Sequence, residues 1–271
     1  MIVVTGATGN VGQPLVRALV DAGEDVTAVS RRGAAEVGAR IHRADLVEPE
    51  TLKPALDGAE ALFLLTSSDF MAKGNIHDLM AVVRDADVQR VVLLSSQGVG
   101  TQRHPSDLED AVKQSGLQWT MLRPGNFNSN TFQWADMVRT QRVVEAPFAD
   151  VALPAVDPVD IGEVAARVLR EPGHEGGIYT LTGPEAISPR QQAAAIGDVV
   201  GEPVRFVEQS RMDARARMLQ YMPEPVVEIT LGILGAPSAA EQRVSPDVER
   251  LLGRPPRTYA DWAARNVVAF K

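Results

Sequence analysis

The stretch TGATGNVG, residues 5–12, decides the fold of this chain, and it directly follows an apolar run at residues 2–4. Glycines that close a buried strand and open a helix are typical of a dinucleotide-binding turn. In such a turn Gly6 permits the tight bend, Gly9 permits a pyrophosphate to approach backbone N–H groups, and Gly12 permits close packing of helix on sheet. The competing interpretation is a structural turn that only starts a helix. No Gly-Lys-Ser/Thr sequence occurs, which excludes a P-loop.

The composition is that of an ordinary globular protein of 271 residues. Its 27 Lys and Arg stand against 35 Asp and Glu, so the net charge is -8, which argues against a general nucleic-acid or anionic-membrane binder. The absence of cysteine excludes disulfides, thiolate nucleophiles and cysteine-containing metal sites. No signal-peptide pattern and no run of about 18 apolar residues occurs, so we expect a cytoplasmic protein that binds neither membrane nor nucleic acid.

The first 125 residues alternate short apolar runs with segments of helical period. Strands are predicted at 2–5, 26–30, 40–43, 61–66, 91–95 and 119–123, and helices near 11–22, 50–57, 74–86 and 106–115. Runs that are apolar on both faces indicate a parallel sheet covered by helices on both sides. The prediction is therefore an α/β fold, a doubly wound parallel-sheet NAD(P)-binding Rossmann fold.

After Pro124 the alternation loosens, and a smaller C-terminal α/β substrate lobe is predicted. Its expected elements are a helix from Asp160 as N-cap to Pro172, a strand in 178–183, a helix from Ser188 to Gly201, a strand in 203–208, helical chain over 211–234 broken at Pro223 and Pro225, and two closing helices in 245–253 and 258–270. The predicted division is residues 1–155 for the nucleotide-binding domain and 183–271 for the substrate lobe. Residues 156–182 are expected to return a strand to the first sheet.

The second strand ends in Ser30, Arg31 and Arg32, where a protein that prefers NAD would carry an acidic residue for the ribose hydroxyl. A guanidinium at this point suits a 2′-phosphate, so the sequence predicts NADP(H). Arg31 is the better candidate because it directly follows the strand. The alternative is a solvated turn.

The whole octapeptide, with its Gly-x-x-Gly-x-x-Gly spacing, resembles the short-chain dehydrogenase/reductase superfamily in its extended and atypical members. In typical members a Ser and a Tyr-x-x-x-Lys pair perform the chemistry, with the Tyr as proton donor. Here Tyr179, Tyr221 and Tyr259 lie far downstream, and none is followed four positions later by Lys. The family's Tyr and Lys positions fall near Thr101 and Pro105, so the usual relay is missing.

That departure, together with several further motifs, makes the chain similar to the NmrA-like atypical subgroup, which includes NAD(P)H quinone reductases. The motifs are SSQGV at 95–99, SGLQWTMLRPGNF at 115–127, VDPVDIGEVAARVL at 156–169, YTLTGPEAIS at 179–188 and PRTYADWAA at 256–264. The resemblance covers essentially the whole chain. It implies an NADPH-dependent oxidoreductase that transfers hydride to a quinone-like or conjugated aromatic carbonyl compound. The alternative within the same subgroup is a non-catalytic NADP(H)-binding redox sensor.

The predicted cofactor-binding residues follow the carboxyl ends of successive strands, and the resemblance adds those beyond the second strand. They are Gly6, Thr8, Gly9, Asn10, Val11, Gly12, Ser30, Arg31, Arg32, Asp45, Leu46, Leu65, Thr66, Ser67, Ser95, Pro124 and Gly125. The expected substrate side comprises Asn126, Phe127 and Asn128, with Phe127 as either a site residue or core. The partner is a small aromatic or quinone-like molecule, and a homodimer is a further expectation.

No catalytic residue is assigned, and Ser96 and His104 are the two candidates. His104 would polarise or protonate a carbonyl, since the pKa of histidine suits proton exchange near neutrality; otherwise it is an exposed loop residue. The preferred interpretation of Glu109 is a residue on a solvated helix face. Two clusters each have two interpretations. Met212, Met218 and Met222 form either an adaptable substrate lid or part of the packing, and Arg211 and Arg215 either bind an acidic substrate or lie on a surface face. The four histidines show no metal-ligand spacing.

Overall fold

A parallel sheet forms the centre of the computed structural model, which describes residues 1–31, 33 and 38–271. The strands are β1 (Ile2–Thr5), β2 (Val26–Ser30), β3 (Arg40–Arg43), β4 (Ala61–Leu64), β5 (Arg90–Leu94), β6 (Gln118–Pro124), β7 (Val143–Pro147), β8 (Gly177–Leu181) and β9 (Arg205–Gln209). Seven of them form one sheet in the order β3-β2-β1-β4-β5-β6-β8, with every pairing parallel. The order reverses direction between β1 and β4, which is the switch point where such sheets bind ligands.

Helices cover both faces of this sheet. The helices of the described chain are α1 (Gly12–Asp21), α2 (Lys53–Leu56), α3 (Ser68–Lys73), α4 (Ile76–Asp85), α5 (Gln97–Gly100), α6 (Asp107–Gln114), α7 (Ala135–Gln141), α8 (Pro158–Arg170), α9 (Pro189–Val200), α10 (Arg211–Met218), α11 (Glu224–Gly235), α12 (Ala239–Gln242), α13 (Asp247–Leu252) and α14 (Tyr259–Arg265). In the same ranges, 3₁₀ turns lie at Pro49–Leu52, Asn128–Trp134 and Val267–Ala269. Helices α1, α8 and α13 pack on one face, while α2, α4 and α6 pack on the other.

The close approach of α1 and α8 depends on a glycine. A Cβ added at Gly162 of α8 would lie 2.8 Å from the backbone nitrogen of Leu15 in α1. The two helices therefore pack with little more than backbone between them. Because α1 follows the glycine turn directly, this contact helps to fix the turn on the sheet.

A second, smaller sheet pairs β7 with β9 in parallel, and α9 and α14 pack against it. Among the strands, β7 was not predicted from the sequence, and neither were the short helices α3, α5, α7 and α12. Strand β7 lies within residues 1–155 and β9 lies within 183–271, so these two ranges share a sheet. The predicted division of the chain at these boundaries stays a prediction.

Most predicted elements are confirmed, including the return of a strand to the first sheet, where β8 pairs with β6. Helix α9 is confirmed with Ser188 as N-cap, in a capping box with Gln191, and with Gly201 as its C-cap. The predicted N-cap of α8 was wrong: Asp157, not Asp160, accepts a hydrogen bond from the backbone N–H of Val159 at 2.9 Å.

Asp160 lies instead in the first turn of α8, where its buried carboxylate has other partners. It pairs with Arg254 and Arg257 of the C-terminal chain. A carboxylate already saturated by two guanidinium groups is not available to cap the helix. Within the described ranges, no helix has both the length and the apolar character needed to cross a membrane.

Candidate functional site

The glycine turn lies at the carboxyl end of β1, and two of its glycines are required by the space around them. Gly6 has a φ of +63°, and an added Cβ would lie 2.9 Å from Cδ2 of Leu65. A Cβ at Gly12 would lie 2.1 Å from the carbonyl oxygen of Gly6. Gly12 therefore lets the first turn of α1 rest on the glycine turn itself. A Cβ at Gly9 would have one tight contact, with that same oxygen at 3.3 Å, and no other neighbour within 4 Å.

A threonine that the sequence did not single out ties this turn to the neighbouring strand. The buried hydroxyl of Thr5 lies 3.1 Å from the carbonyl oxygen of Phe63, to which it donates, and it accepts from the backbone N–H of Leu65 at 2.8 Å. The carboxyl ends of β1 and β4 are thus joined by a side chain. The signal in the sequence is a threonine at the end of an apolar strand, directly before the first glycine.

The start of α1 presents the features of an anion-binding helix end. Val11 is the N-cap and supplies no side-chain hydrogen bond, while Thr8, Gly9 and Asn10 are exposed. A helix N-terminus carries partial positive charge and free N–H groups, so it accepts a phosphate. Asn10 donates to the hydroxyl of Ser129 at 3.2 Å, which joins the turn to the chain beyond β6.

The end of β2 carries the residues predicted to meet a 2′-phosphate. The hydroxyl of Ser30 accepts from the backbone N–H of Gly33 at 2.9 Å. Arg31 is about half exposed and forms an ion pair with Asp69 at the start of α3. A phosphate bound here would compete with that carboxylate for the guanidinium. Arg32 lies outside the described residues.

The residues predicted beyond β3 and β4 lie at the same edge of the sheet. The carboxylate of Asp45 accepts from the backbone N–H of Val47 at 3.0 Å, and Leu46 packs against the core. After β4 come Leu65, Thr66 and Ser67, and Ser67 caps α3 by accepting from the N–H of Phe70.

The two serines after β5 have different partners, and Ser95 belongs to a buried charged network. Its hydroxyl donates to Glu109 at 2.6 Å, and Arg123 binds the same carboxylate through two nitrogens, at 2.8 and 2.6 Å. Lys113 adds a contact at 3.2 Å. Burial raises the pKa of Glu109, but the hydrogen bonds from Arg123, Ser95 and Lys113 outweigh it and hold the pKa at about 2.

The interpretation of Glu109 as part of a solvated face was therefore wrong. Its side chain is fully buried and ionised, and it joins α6 to β5 and β6. The sequence pattern of α6 alone could not show this, because the partner Arg123 lies in strand β6 and approaches Glu109 only in the folded protein.

Ser96 and His104 are brought together in the structure. The Ser96 hydroxyl caps α5 by accepting from the N–H of Gly98 at 3.0 Å, and Nδ1 of His104 lies 3.0 Å from the same oxygen. Burial lowers the pKa of His104, while the nearby carboxylate of Glu241 opposes that shift. His104 is thus half-buried against α5, not an exposed loop side chain.

Pro124 ends β6, and the chain after it runs alongside the segment before α8. The N–H of Gly125 donates to the carbonyl oxygen of Leu181 at 2.9 Å, and that of Asn128 donates to Val156 at 2.9 Å. The side chain of Asn128 is fully buried, and neither its Oδ1 nor its Nδ2 has a hydrogen-bond partner within the described chain. An orphaned buried amide is costly, so Asn128 calls for a partner from outside the chain.

A cavity of about 500 Å³ opens beside this segment. His104, Asn126 and Phe127 line it, which brings together three of the residues singled out from the sequence. Phe127 also packs against the core, and its substrate role stays a prediction. Asn128 is not among the lining residues, and its substrate role stays a prediction. The remaining wall comes from Asn130, Thr131, Gln133, Trp134, Glu145, Ala146, Pro147, Val151, Leu153, Ala155, Ile187, Pro189, Gln192, Gln209, Ala214, Arg217, Met218, Tyr221, Met222, Thr230, Ile233 and Leu234.

The far wall of the cavity is the helical hairpin α10–α11. Met218 and Met222 line the cavity and pack in the hairpin's own small core, whereas Met212 is exposed. Arg211 and Arg215 form ion pairs with glutamates of α11, which supports their surface interpretation. This wall therefore presents adaptable methionine side chains to the cavity, while ion pairs on its surface hold α10 against α11.

The three tyrosines are dispersed. Tyr259 is buried and donates to the hydroxyl of Thr131 at 2.8 Å, and burial raises its pKa. Tyr179 packs on His174, and Tyr221 lines the cavity from α10–α11. None sits beside Ser96. Across the described ranges, no group of three histidine, aspartate or glutamate side chains could hold a metal ion.

The residues present fit a bound NADP(H). The glycine cradle leaves room above Gly9, α1 offers its N-terminus, and Arg31 stands at the end of β2 where a 2′-phosphate would lie. The sequence anticipated these groups. It missed Thr5, the network around Glu109 and most of the cavity wall.

Comparison with known proteins places these features in a family. The model of the NmrA-like family matches residues 1–232. The chain is 36% identical over 287 residues to the (4-alkanoyl-5-oxo-2,5-dihydrofuran-3-yl)methyl phosphate reductase of Streptomyces griseus, covering 100% of this chain and 99% of that protein. It is 32% identical over 285 residues to an NAD(P)H azoreductase of Xenophilus azovorans, covering 100% and 99%.

Among solved structures, an NADPH-dependent quinone oxidoreductase from Escherichia coli in complex with NADPH superposes with a TM-score of 0.83. The two proteins are 25% identical, and the superposition covers 98% of this chain and 99% of that one. The chain therefore has the fold of a protein that binds NADPH.

Proposed function

Because the chain belongs to the NmrA-like family, we propose that it is an NADPH-dependent reductase that transfers hydride to a quinone-like or conjugated carbonyl compound. One observation carries this proposal: a large cavity adjoins the carboxyl edge of the sheet, where the glycine turn lies. Asn126 and Phe127 follow β6 directly and line that cavity. A substrate in it would lie beside a nicotinamide held at the strand ends.

The proposed cofactor contacts use residues at the strand ends. Gly9 and the N-terminus of α1 would hold the pyrophosphate, and Arg31, released from its pair with Asp69, would hold the 2′-phosphate. Leu65, Thr66, Pro124 and Gly125 would flank the nicotinamide end. When bound, NADPH supplies the hydride, and the protein supplies position and electrostatics.

The substrate class follows from the cavity wall and from the relatives. The wall is mainly apolar, with amides such as those of Gln133, Gln192 and Gln209 at intervals. One relative is named for a lactone with a conjugated acyl group and the other for azo compounds. Both substrate types hold an electron-poor double bond that accepts hydride. A flat conjugated molecule of this kind fits a cavity of about 500 Å³.

The missing Tyr-x-x-x-Lys pair is compatible with this chemistry. Hydride added to a quinone gives a stabilised hydroquinone anion, which water can protonate, so correct placement provides most of the catalysis. A homodimer and a cytoplasmic location, both expected from the sequence, stay predictions.

The test is NADPH oxidation against a panel of quinones, conjugated lactones and azo dyes, with NADPH binding measured in parallel. We expect turnover of at least one of these classes of acceptor and a preference for NADPH over NADH. Tight NADPH binding with no turnover of any acceptor would contradict it and favour the redox sensor, for which differential affinity for NADP⁺ and NADPH is then required.

A further inference from the structure

The hydroxyl proton of Ser95 is already used in a hydrogen bond to Glu109. Its hydroxyl lies 2.6 Å from Oε1 of Glu109, and an ionised carboxylate only accepts hydrogen bonds. Since Glu109 stays ionised down to a pH of about 2, the Ser95 O–H points into the buried network at any working pH. Ser95 is therefore not the donor to a substrate.

The hydroxyl of Ser96 has a different arrangement. Its oxygen accepts from the N–H of Gly98, and the acceptor that the described chain offers to its own proton is Nδ1 of His104, at 3.0 Å. A nitrogen that accepts from a hydroxyl carries no proton itself, and in neutral imidazole the proton then resides on Nε2. A bond in this direction gives the tautomer with a donor at Nε2.

Gly98 fixes the plane of the ring. A Cβ built on Gly98 would lie 2.5 Å from Nδ1 and 2.8 Å from both Cε1 and Cγ of His104, so the imidazole rests directly on the glycine. The backbone N–H groups of Arg103 and His104 both donate to the carbonyl oxygen of Gly98, at 2.8 and 3.0 Å. Both the ring and its backbone are therefore placed by one residue of α5.

The loop that carries His104 is also anchored from the other side. Buried Glu241 of α12 accepts from Thr101 at 3.0 Å and from Arg103 at 3.3 Å. The position of His104 is therefore held by contacts with α5 on one side and by the anchoring of its loop to α12 on the other. His104 lines the cavity, and its Nδ1 edge is occupied by Ser96.

We propose that the Nε2–H of His104 donates a hydrogen bond to the substrate oxygen that becomes negative on reduction, and that Ser96 and Gly98 are positioning residues for this donor. The proposal rests on the proposed function. When hydride bonds to a quinone or a conjugated carbonyl, the nicotinamide is oxidised and the displaced electron pair ends on the substrate oxygen. His104 stabilises this oxyanion, and water then supplies the proton that neutralises it.

A neutral donor is consistent with the surroundings, because burial lowers the pKa of His104 and keeps the imidazole uncharged near neutrality. Uncharged imidazole serves as a hydrogen-bond donor to a developing oxyanion in other enzymes. Removing one such donor costs roughly 100-fold to 1,000-fold in kcat.

Two hydride acceptors separate this role from general damage to the site. Reduction of 1,4-benzoquinone places charge on oxygen, whereas the cation of malachite green becomes a neutral molecule on accepting hydride, with no oxyanion and no proton required. His104→Ala is expected to lower kcat for benzoquinone roughly 100-fold while leaving reduction of the dye within about threefold. His104→Gln, which keeps a donor near the Nε2 position, restores part of the loss. His77→Ala, at an exposed position of α4, is the matched control.

Equal losses for both acceptors in His104→Ala would overturn the proposal. If the wild-type protein binds NADPH but reduces neither acceptor, the proposed function fails instead, and the oxyanion donor is tested by binding alone. With NADP⁺ present, 4-nitrophenolate is expected to bind His104→Ala at least about tenfold more weakly than His77→Ala. Equal affinities of the two variants would contradict the assignment.

The positioning residues are tested by ¹⁵N NMR of the labelled imidazole, which does not depend on turnover. The wild type is expected to show protonated Nε2 and unprotonated Nδ1. Ser96→Ala should produce a mixture of tautomers, and Gly98→Ala should shift the ring and lower kcat for benzoquinone more than kcat for malachite green. A wild-type ring protonated at Nδ1 would overturn the assignment.

Discussion

The turn at residues 5–12 is made by one short piece of chain, whereas the cavity wall is assembled from side chains between His104 and Leu234. The turn works through its backbone, which is held by the lack of a Cβ at Gly6 and Gly12. The wall works through side chains that long-range packing brings together. The glycine turn of the proposed nucleotide site thus depends on local backbone geometry, while the cavity wall depends on side chains that the fold brings together.

The largest effect is expected at the turn, from Gly12→Ala. The added Cβ would lie 2.1 Å from the Gly6 oxygen, so the start of α1 must move away from the turn. We expect a loss of about 3 kcal/mol in unfolding free energy and at least a tenfold loss in NADPH affinity. Gly9→Ala is the matched variant, because its Cβ would have a single tight contact, 3.3 Å from the same oxygen: it should cost much less stability than Gly12→Ala while still weakening NADPH binding. Equal destabilisation by both would break the comparison. Thermal unfolding and fluorescence titration measure the two quantities.

The second effect concerns the network behind the cavity. Glu109→Gln leaves Arg123 buried with a neutral partner, so we expect a loss of about 2 kcal/mol at neutral pH. In the wild type the folded pKa of Glu109, about 2, lies below the ordinary 4.5, so this stabilisation is full above pH 4.5 and is lost as the pH falls toward 2. Urea unfolding across that range should show a flatter pH dependence in the variant than in the wild type. Parallel curves would argue against the ionised network.

A third, smaller effect concerns the contribution of Arg31 to NADPH affinity. Arg31→Ala should weaken NADPH binding roughly tenfold and leave NADH binding unchanged, because only the 2′-phosphate is lost as a partner. Asp69→Asn releases Arg31 from its ion pair and should strengthen NADPH binding by a factor of about two to three. Calorimetric titration of both nucleotides measures this, and an Arg31→Ala variant that weakens NADH equally would contradict the 2′-phosphate contact.

The smallest effect is expected at the cavity wall. Met218→Ala removes an adaptable side chain from one of many lining positions, so we expect KM for a quinone to change by less than about fivefold, with NADPH affinity unchanged. Steady-state kinetics with a small and a bulky quinone measure this. A large change in NADPH binding would show that the two regions are not independent.

The same contrast explains what could be predicted from the sequence. The central sheet, the glycine turn and the caps of α9 depend on short-range patterns, and each was found. The pairing of β7 with β9, the Glu109–Arg123 contact and the resting of His104 on Gly98 join residues that are distant in the chain or not related by any periodic pattern. The replacement of Asp160 by Asp157 as N-cap has the same origin, since the two arginines that occupy Asp160 come from the C-terminal chain.

Hydride transfer itself is measured by the fate of deuterium from C4-deuterated NADPH incubated with the protein and a conjugated acyl lactone. We expect one of the two C4 isotopomers to deliver deuterium to the ring carbon of the substrate, one atom for each NADPH oxidised. Bound NADPH that keeps its deuterium in the presence of every acceptor would contradict this expectation.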